Sequence, residues 1–313
     1  MGGTFHDYRF ARFSRSARFR ARSLAPRHGR RRRGPGRGTA GVAAAQTSGA
    51  QVASAAAAAK KPTGAAPVLP VGAVGKSVAR IYLPNGKGGL KPLGDNTAAN
   101  WAHTKAETFV DHDRDGRVDG DYSLLDNGDV TYQGTAGHSS KMASGFGGYD
   151  TFFTPGELGG TYGSDLLTRD KQGVLWVHQA NGKLGRDYAK LAPRKRVGGG
   201  WGQFTAITGR GDLTGDGKAD IVARDTSGTL WLYKGTGDID KPFAARTKIG
   251  GGWNQFTKLV ATGDVNGDGH ADLLAVDGKG ALWLYKGTGK ASSPYQSRMK
   301  IDASGWNQYR LVF

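Results

Sequence analysis

Three short segments of the sequence carry oxygen-bearing side chains at the same spacing. Counted from the first aspartate of each segment, these side chains stand at positions 1, 3, 5 and 9, and position 6 is glycine. The glycine lets the backbone turn sharply, so that the side chains and the position-7 carbonyl converge on one point, as a hard cation requires. The candidate ligands are Asp111, Asp113, Asp115, Arg117 and Asp119, then Asp212, Thr214, Asp216, Lys218 and Asp220, and then Asp264, Asn266, Asp268, His270 and Asp272. Arg117, Lys218 and His270 would bind through their carbonyl oxygens, with their side chains in solvent.

The residue types favour calcium in a structural role. A helix–loop–helix calcium hand begins in the same way but needs a bidentate Glu at position 12, where this chain has Tyr122, Ala223 and Ala275. The position-9 aspartate is therefore expected to close the site. A flexible cage made only of protein oxygens favours Ca²⁺ over Mg²⁺, which keeps several waters. The alternative is that these segments are Asp/Gly turns that bind no metal.

A fourth segment has the same turn without the ligands. In residues 157–165, positions 3 and 5 are Gly159 and Thr161, so only the terminal acids Glu157 and Asp165 remain. We expect this segment to hold no metal. A turn that persists without its ligands indicates that metal reinforces the turn and performs no chemistry there.

The segments belong to an internal repeat. Residues 201–250 align with residues 253–301 at a period of 52 residues, and both copies contain the run LWLYKGTG. Each copy holds four strand-like runs, which in the clearest copy are 255–261, 271–276, 281–286 and 297–301. Four short antiparallel strands in about 50 residues form one blade of a β-propeller, and the helical period of a solenoid is missing. The repeats are about 101–145, 146–200, 201–252 and 253–304, with a partial copy at 305–313.

The two ends of the chain bear on the number of blades. Residues 77–83 resemble the third strand of a blade, residues 91–93 resemble the outer strand, and residues 305–313 begin a further first strand. We therefore predict an all-β fold, a β-propeller of four-stranded blades, with a fifth blade closed by joining N- and C-terminal strands so that no sheet edge is left exposed. An incomplete larger ring, or a half-ring completed by a partner, is the alternative.

The basic charge of the chain lies in its N-terminal region. The net charge is +18, of which residues 1–40 contribute +11 through twelve arginines and one acid. Residues 1–70 are predicted to be a disordered Arg/Ala-rich tail, an export segment or sequence upstream of the true start, and residues 75–313 the repeat domain. The folded part is close to ordinary in charge, so we expect it not to bind nucleic acid. The sequence predicts no transmembrane segment, and the absence of cysteine excludes disulfides and thiolate sites.

Residues suited to catalysis are scarce. No histidine metal motif and no G-x-S-x-G nucleophile turn occurs, and Glu107 and Glu157 are the only glutamates after residue 100. Asp225 and Asp277 occupy equivalent repeat positions just after the second strand, where an aspartate commonly caps a turn. We predict that the protein is not an enzyme, and a cryptic secreted hydrolase is the third of three hypotheses.

Aromatic residues alternate along the third strand of each repeat, so that the members of each pair face the same side. These residues either pack between blades or form a platform on which sugars stack. The candidates are Trp176, Trp231, Tyr233, Trp283 and Tyr285, with His178 beside Trp176. The first hypothesis is accordingly a module that binds a glycan or a cell-surface protein, and the second is a structural appendage without a ligand of its own. The sequence leaves the ligand and the oligomeric state open.

The repeat resembles a known family. Its pattern W-x-x-F, then G-D-x-x-G-D-G-x-A-D, then L-W-L-Y-x-G-x-G is similar to FG-GAP/VCBS repeats, over about residues 101–313 and most specifically in the last two copies. The resemblance implies a secreted, extracellular propeller with structural Ca²⁺ in its acidic loops, like the blades of integrin α-subunits. Members of this family act in adhesion, in carbohydrate binding or as appendages to enzymes, so the resemblance implies no single activity.

Overall fold

The computed structural model describes residues 66–97, 101–135, 137–159, 163–181 and 190–313. The predicted tail up to residue 65 and Thr161 lie outside the described residues. Within them, no helix is both long and apolar enough to cross a membrane.

The described chain forms β-strands joined by tight turns. In chain order, the strands are β1 (Val71–Val74), β2 (Ala79–Pro84), β3 (Leu90–Asn96), β4 (Thr104–Val110), β5 (Gly120–Leu125), β6 (Val130–Gly134), β7 (Ser139–Ala143), β8 (Tyr149–Gly156), β9 (Asp165–Asp170), β10 (Leu175–His178), β11 (Ala180–Asn181), β12 (Lys190–Leu191), β13 (Lys195–Gly198), β14 (Phe204–Thr208), β15 (Ile221–Asp225), β16 (Leu230–Tyr233), β17 (Thr247–Gly250), β18 (Phe256–Gly263), β19 (Asp272–Asp277), β20 (Leu282–Tyr285), β21 (Met299–Asp302) and β22 (Leu311–Val312). Five short 3₁₀ helices each precede a first strand: η1 (Trp101–His103), η2 (Phe146–Gly148), η3 (Trp201–Gln203), η4 (Trp253–Gln255) and η5 (Trp306–Gln308).

The strands form five four-stranded antiparallel sheets, the blades of a β-propeller. Blade I has the order β22-β1-β2-β3, blade II β4-β5-β6-β7, blade III β8-β9-β10-β13, blade IV β14-β15-β16-β17 and blade V β18-β19-β20-β21. The small hairpin β11–β12 projects from blade III. In blade I, Ala73 pairs with Val312 and Val74 with Leu311, so the C-terminal strand completes the sheet that the N-terminal strands begin. The predicted five blades and their closure are confirmed.

Apolar side chains fill the seams between neighbouring blades. Leu232 of blade IV packs with Phe256 and Leu273 of blade V, and Leu274 of blade V packs with Val71 of blade I. The neighbouring seams II/III and III/IV hold similar clusters. Since blades IV and V are apolar on both faces, neither could be stable alone, and burial of such faces drives ring formation.

The propeller begins earlier than the predicted boundary at residue 75. The N-terminal end supplies three strands and not two, because β1 was not recognised in the sequence. Residues 66–70, which we placed in the tail, also belong to the ring, since Ala66 is fully buried and Leu69 is 3% exposed. The Ala/Pro composition of this segment concealed its role, because its partners are loops far away in the sequence.

Candidate metal loops and ligand cleft

The three acidic segments join the first and second strands of blades II, IV and V. We call them loop II (residues 111–119), loop IV (212–220) and loop V (264–272). The position-6 glycine has a φ of 86° in loop II, 81° in loop IV and 91° in loop V. A side chain is strained at such angles. The turn that brings the acidic side chains together therefore depends on glycine at this position.

Loop II brings three carboxylates to one point. Oxygen atoms of Asp111, Asp113 and Asp115 all lie within 4.8 Å of one another. Asp111 Oδ2 accepts a hydrogen bond from the Gly116 N–H at 3.0 Å, whereas Asp111 Oδ1 is buried without a hydrogen-bond partner. A buried carboxylate oxygen without a partner is costly, and a bound cation would satisfy it. This aspartate triad could hold a metal ion.

Loops IV and V repeat the same backbone arrangement. The Gly217 N–H donates to Asp212 Oδ2 at 2.6 Å, and the Gly269 N–H donates to Asp264 Oδ2 at 2.7 Å. The other predicted side-chain ligands of these two loops lie on the same turns: Thr214, Asp216, Asn266 and Asp268. At position 7, the side chains of Arg117 and Lys218 are exposed and that of His270 is half-buried.

The aspartate at position 9 has a second role that the sequence did not reveal. Asp220 Oδ2 accepts the Leu213 N–H at 3.0 Å. Its Oδ1 accepts the N–H of Gly235, which follows the third strand of the blade, β16, at 2.8 Å. Asp272 makes the same two kinds of bond. So does Asp165, whose loop has lost its ligands at positions 3 and 5: it accepts the Leu158 N–H at 2.9 Å and the Ala180 N–H at 3.1 Å. In blades III, IV and V, the position-9 aspartate thus ties the loop to the segment that follows the third strand, with or without the ligands at positions 3 and 5. The sequence offered one sign of this second role: the aspartate is retained as Asp165 in a segment that has lost its ligands at positions 3 and 5.

Burial makes these carboxyls harder to ionise. Desolvation raises the pKa of Asp111 and of Asp220 to about 6, and that of Asp272 to about 7. The pKa of Asp165 is raised to about 7 by the same cause. A divalent cation in a loop would reverse the effect, because it stabilises the ionised form of its ligands.

The predicted stacking tryptophans are covered by arginine side chains. The guanidinium carbons of Arg194, Arg246 and Arg298 lie 3.9, 4.2 and 4.3 Å from the ring centroids of Trp176, Trp231 and Trp283, respectively. Tyr233 and Tyr285 pack on the rings of Trp201 and Trp253, at centroid distances of 4.6 and 4.5 Å. These contacts favour packing over a sugar platform, and a ligand-binding role for the five residues stays a prediction.

The indole N–H groups are also occupied. Trp231 Nε1 donates to Asp225 Oδ2 at 2.7 Å, and Trp283 Nε1 donates to Asp277 Oδ2 at 2.8 Å. The other oxygen of each aspartate accepts a turn N–H, from Thr229 at 2.9 Å and from Ala281 at 3.0 Å. Asp225 and Asp277 therefore cap turns, and they form no carboxylate pair with each other.

A cleft of about 380 Å³ lies where blade II meets the outer half of blade III. Its volume falls in the range of small-ligand sites, about 300–1,000 Å³. The lining residues are Ala143, Ser144, Gly145, Phe146, Tyr149, His178, Leu191, Ala192, Pro193 and Arg194. Only His178 belongs to the aromatic pattern noticed in the sequence.

A smaller side chain accounts for part of this opening. In blade IV, Phe243 pairs with Gly235 and packs on Tyr233, and in blade V, Tyr295 packs on Tyr285 in the same way. The β11–β12 pairing places Leu191 at the position equivalent to Phe243 and Tyr295 in blade III. Since leucine is shorter than either ring, the space that they fill is open in blade III.

At the cleft, Arg194 lacks the glutamine partner that the equivalent arginines of blades IV and V have. In blade IV, Arg246 Nη1 donates to Gln203 Oε1 at 3.2 Å, and Arg298 binds Gln255 in the same way in blade V. The equivalent of Gln203 in blade III is Gly148. Arg194 Nη1 donates at 2.6 Å to the Tyr149 hydroxyl in its place. The guanidinium consequently borders the cleft and has no glutamine beneath it.

His178 forms the inner wall of the cleft. It replaces Tyr233 and Tyr285 of the neighbouring repeats, its Nε2 lies 3.0 Å from Thr168 Oγ1, and its ring centroid lies 4.8 Å from that of Phe146. Desolvation, together with the positive charge of Arg194, lowers the pKa of His178 to about 4. The ring is therefore neutral at pH 7 and serves as an aromatic surface.

The fold and the acidic loops define a five-bladed β-propeller built from repeats with candidate metal loops. Residues 212–275, which contain loop IV and the start of blade V up to Ala275, match the model of the FG-GAP-like repeat. This part of the chain is an FG-GAP-like repeat, as the sequence pattern predicted. None of the curated proteins matches the chain.

Several solved structures are similar to the chain at low sequence identity. The BP39L lectin from Burkholderia pseudomallei is 13% identical, with 75% of this chain and 70% of that chain covered and a TM-score of 0.48. A mutant of AofleA from Arthrobotrys oligospora is 12% identical, with 78% and 75% covered and a TM-score of 0.44. The WD40 domain of SCAP from fission yeast is 10% identical, with 78% and 58% covered and a TM-score of 0.34. At this level of similarity, no ligand is transferred from these proteins to this chain.

Proposed function

We propose that the protein is a non-catalytic, calcium-stabilised propeller that binds carbohydrate through the cleft of blade III. The observation that carries this proposal is the cleft itself, because aromatic rings fill the equivalent space in blades IV and V. The half-buried Tyr149 supplies ring surface on which the apolar face of a sugar packs, with Phe146, which is 7% exposed, behind it, and Arg194 with the Tyr149 hydroxyl supplies polar hydrogens. A concave aromatic surface with a few placed polar groups is the usual form of such a site.

Calcium is the metal that we propose for loops II, IV and V. Side-chain oxygens at positions 1, 3, 5 and 9 and the position-7 carbonyl would hold it, and the unpartnered Oδ1 of Asp111 supports this assignment for loop II. The bound ion would neutralise the clustered carboxylates and cross-link the turn. Extracellular calcium modules bind with dissociation constants of about 10⁻⁴–10⁻³ M, so the proposed secretion of the protein would keep the loops filled.

Closing the cleft is expected to abolish glycan binding. Gly148→Gln restores the glutamine of the other repeats, and the new side chain has room, since no atom lies within 4 Å of a Cβ at this position. Leu191→Phe restores the ring of blade IV. We expect binding to any glycan recognised by the calcium-loaded protein on an array to fall at least about tenfold in each variant, because a filled pocket excludes its ligand.

The matched control is Gly147→Gln, the same substitution one residue earlier. Gly147 is exposed and does not line the cleft, and its Cβ would lie 3.8 Å from Gly128 Cα, an ordinary contact. This variant should bind as the parent does. Glycan binding that survives both cleft-filling substitutions would refute the cleft as the site. A folded, calcium-loaded protein that binds no glycan would favour the structural appendage.

A further inference from the structure

We infer that the ligand of the blade III cleft is an acidic saccharide, a sugar whose ring carries a carboxylate or sulfate group. This inference rests on the proposed carbohydrate-binding function and names the class of sugar. It follows from the polar groups that the cleft presents and from the way in which each of them is already bonded.

The first observation is the charge of the lining. Arg194 is the only charged residue among the ten that line the cleft, and none of the ten is acidic. The carboxylate of Asp170 feels the charge of Arg194, which contributes after the Trp176 hydrogen bond to lowering its pKa, but both of its oxygens are bonded to other donors: Oδ1 accepts the Gln172 and Val174 N–H groups, and Oδ2 accepts Trp176 Nε1 at 2.8 Å. The cleft is therefore positive, and its charge is not compensated by an ion pair from within its lining.

The second observation is the direction of the hydrogen bonds. Arg194 Nη1 donates to the Tyr149 oxygen at 2.6 Å, so the phenolic hydrogen of Tyr149 is left to donate to a ligand. Arg194 has five N–H donors and cannot act as an acceptor. A guanidinium beside a hydroxyl donor suits a group that only accepts, and carboxylate and sulfate oxygens are such acceptors.

The third observation is the ring surface beside these donors. Phe146, Tyr149 and His178 lie in mutual contact, with a centroid distance of 5.1 Å between Phe146 and Tyr149 and 6.0 Å between Tyr149 and His178. Phe146 and His178 are 7% and 5% exposed, so the accessible part of this surface belongs mainly to the half-buried Tyr149. A pyranose ring can pack its C–H face there while a charged substituent reaches Arg194. A free inorganic anion would use the arginine alone and gain nothing from the tyrosine ring.

Comparison with blade IV shows what is particular to this site. Arg246 stacks on Trp231 as Arg194 stacks on Trp176, but Arg246 donates to the glutamine acceptor Gln203. Phe243 also packs on the aromatic wall there. An arginine over a tryptophan is thus a packing feature of the repeat. In blade III, the equivalents of Gln203 and Phe243 are smaller residues, so Arg194 is accessible to a ligand.

Calorimetric titration of the full, calcium-loaded chain tests the inference with three sugars that differ only at C6: galactose, galacturonic acid and galactose 6-sulfate. We expect galacturonic acid or galactose 6-sulfate to bind at least about tenfold more tightly than galactose, the worth of one charge-assisted hydrogen bond. Comparing the two acids distinguishes a carboxylate from a sulfate ligand. The preference should weaken at high salt, because the attraction is electrostatic.

Arg194→Gln and Tyr149→Phe should each reduce the preference for the acidic sugar, while Arg246→Gln, the matched arginine of blade IV, should leave it unchanged. Thermal melting checks that all three variants fold. Equal affinity for galactose and both acids, lost in Gly148→Gln, would overturn the inference and support the proposed function. Acid binding that persists in Arg194→Gln overturns the inference as well, and failure of all glycans to bind the parent would sink the proposed function itself.

Discussion

Removing calcium should lower the melting temperature by about 10 °C or more and expose residues 66–70 to solvent exchange. For a dissociation constant of about 10⁻⁴ M, about 10 mM calcium is 100 times that constant and stabilises a protein by about 2.7 kcal/mol per site, so three filled loops would contribute about 8 kcal/mol. For a domain of this size, each kcal/mol corresponds to about 2–4 °C. The expected shift is therefore large and measurable by calorimetry with and without chelator.

Residues 66–70 should respond because they connect the three loops. The Val68 N–H donates to the carbonyl of Gly116 in loop II at 3.0 Å, and the Ala66 N–H donates to that of Gly269 in loop V at 3.1 Å. The Asp264 N–H donates back to the Pro67 carbonyl at 2.8 Å. Directly before loop IV, a Cβ on Gly211 would lie 3.1 Å from Ala66 Cα, so the segment packs beside this loop as well. A loop that loses its ion becomes more mobile, and the carbonyl groups that accept hydrogen bonds from residues 66–70 become more mobile with it.

Hydrogen exchange of the Ala66 and Val68 amides reports this connection directly. We expect both amides to be protected in calcium and to exchange faster after chelation. A lower melting temperature with unchanged exchange would show that calcium stabilises the loops without holding the segment. Unchanged melting after chelation would exclude calcium from the loops altogether.

A single loop can be tested with Asp268→Ala, which removes the position-5 carboxylate of loop V. Its control is Asp240→Ala, which removes an exposed carboxylate outside the loops that pairs with Lys195 at 2.7 Å. Such surface pairs contribute less than about 1 kcal/mol. Asp268→Ala should lower the melting temperature in calcium but not in chelator, whereas Asp240→Ala should have little effect in either.

The repeat made most of the fold predictable. Alignment of residues 201–250 with 253–301 identified four strands in a blade, and in blade V the structure places them within about two residues of the predicted runs, at β18, β19, β20 and β21. Periodic patterns are reliable because the same packing problem recurs in every blade. The end strands were harder: β1 has only four residues, all apolar and buried, and carries no alternation.

The cleft could not be predicted, because it is a property of several residues that are separated in the sequence. Gly148 and Leu191 look unremarkable singly, and only the register of blade III shows that they stand where other blades have Gln203 and Phe243. The arginine that covers each tryptophan could not be predicted for a related reason, and the ligand-binding role of these tryptophans stays a prediction. Alternation along a strand places Trp231 on one face, but it does not reveal that Arg246 covers the ring.

Replacing Glu107 and Asp121 together with leucine should stabilise the protein by about 1–4 kcal/mol at pH 7, as found when buried charged groups are replaced by apolar ones. The register places these acids at the blade II positions equivalent to Leu259 and Leu273 of blade V, and to Ile207 and Ile221 of blade IV. Glu107 is 7% exposed, and Ser123 Oγ donates to Glu107 Oε2 at 2.7 Å. Blade II therefore has an acidic pair on a face that is apolar in those blades.

The stabilisation should grow with pH. Desolvation raises the pKa of Glu107 well above its ordinary value and that of Asp121 to about 6. In the folded protein, Glu107 and Asp121 therefore retain protons that they release above about pH 4 in the unfolded chain. Stability from this pair is complete below pH 4 and is lost as pH rises through the folded pKa values, with a slope of up to about 1.4 kcal/mol per pH unit for each retained proton.

Chemical denaturation in calcium at pH 4, 5, 6, 7 and 8 measures the effect as the difference between parent and double variant. The pKa values of Asp220 and Asp272 are also raised, but both aspartates are present in parent and double variant, so their pH dependence cancels in the difference. Asp240→Leu, which removes an exposed acid, should leave the pH dependence of stability unchanged. If the double variant is less stable than the parent at pH 7 and follows the same pH dependence, the pair is ionised and well solvated in the folded protein. A smaller difference at pH 4 than at pH 7 is the expected result, because at pH 4 both acids are protonated in the folded state and their burial costs least.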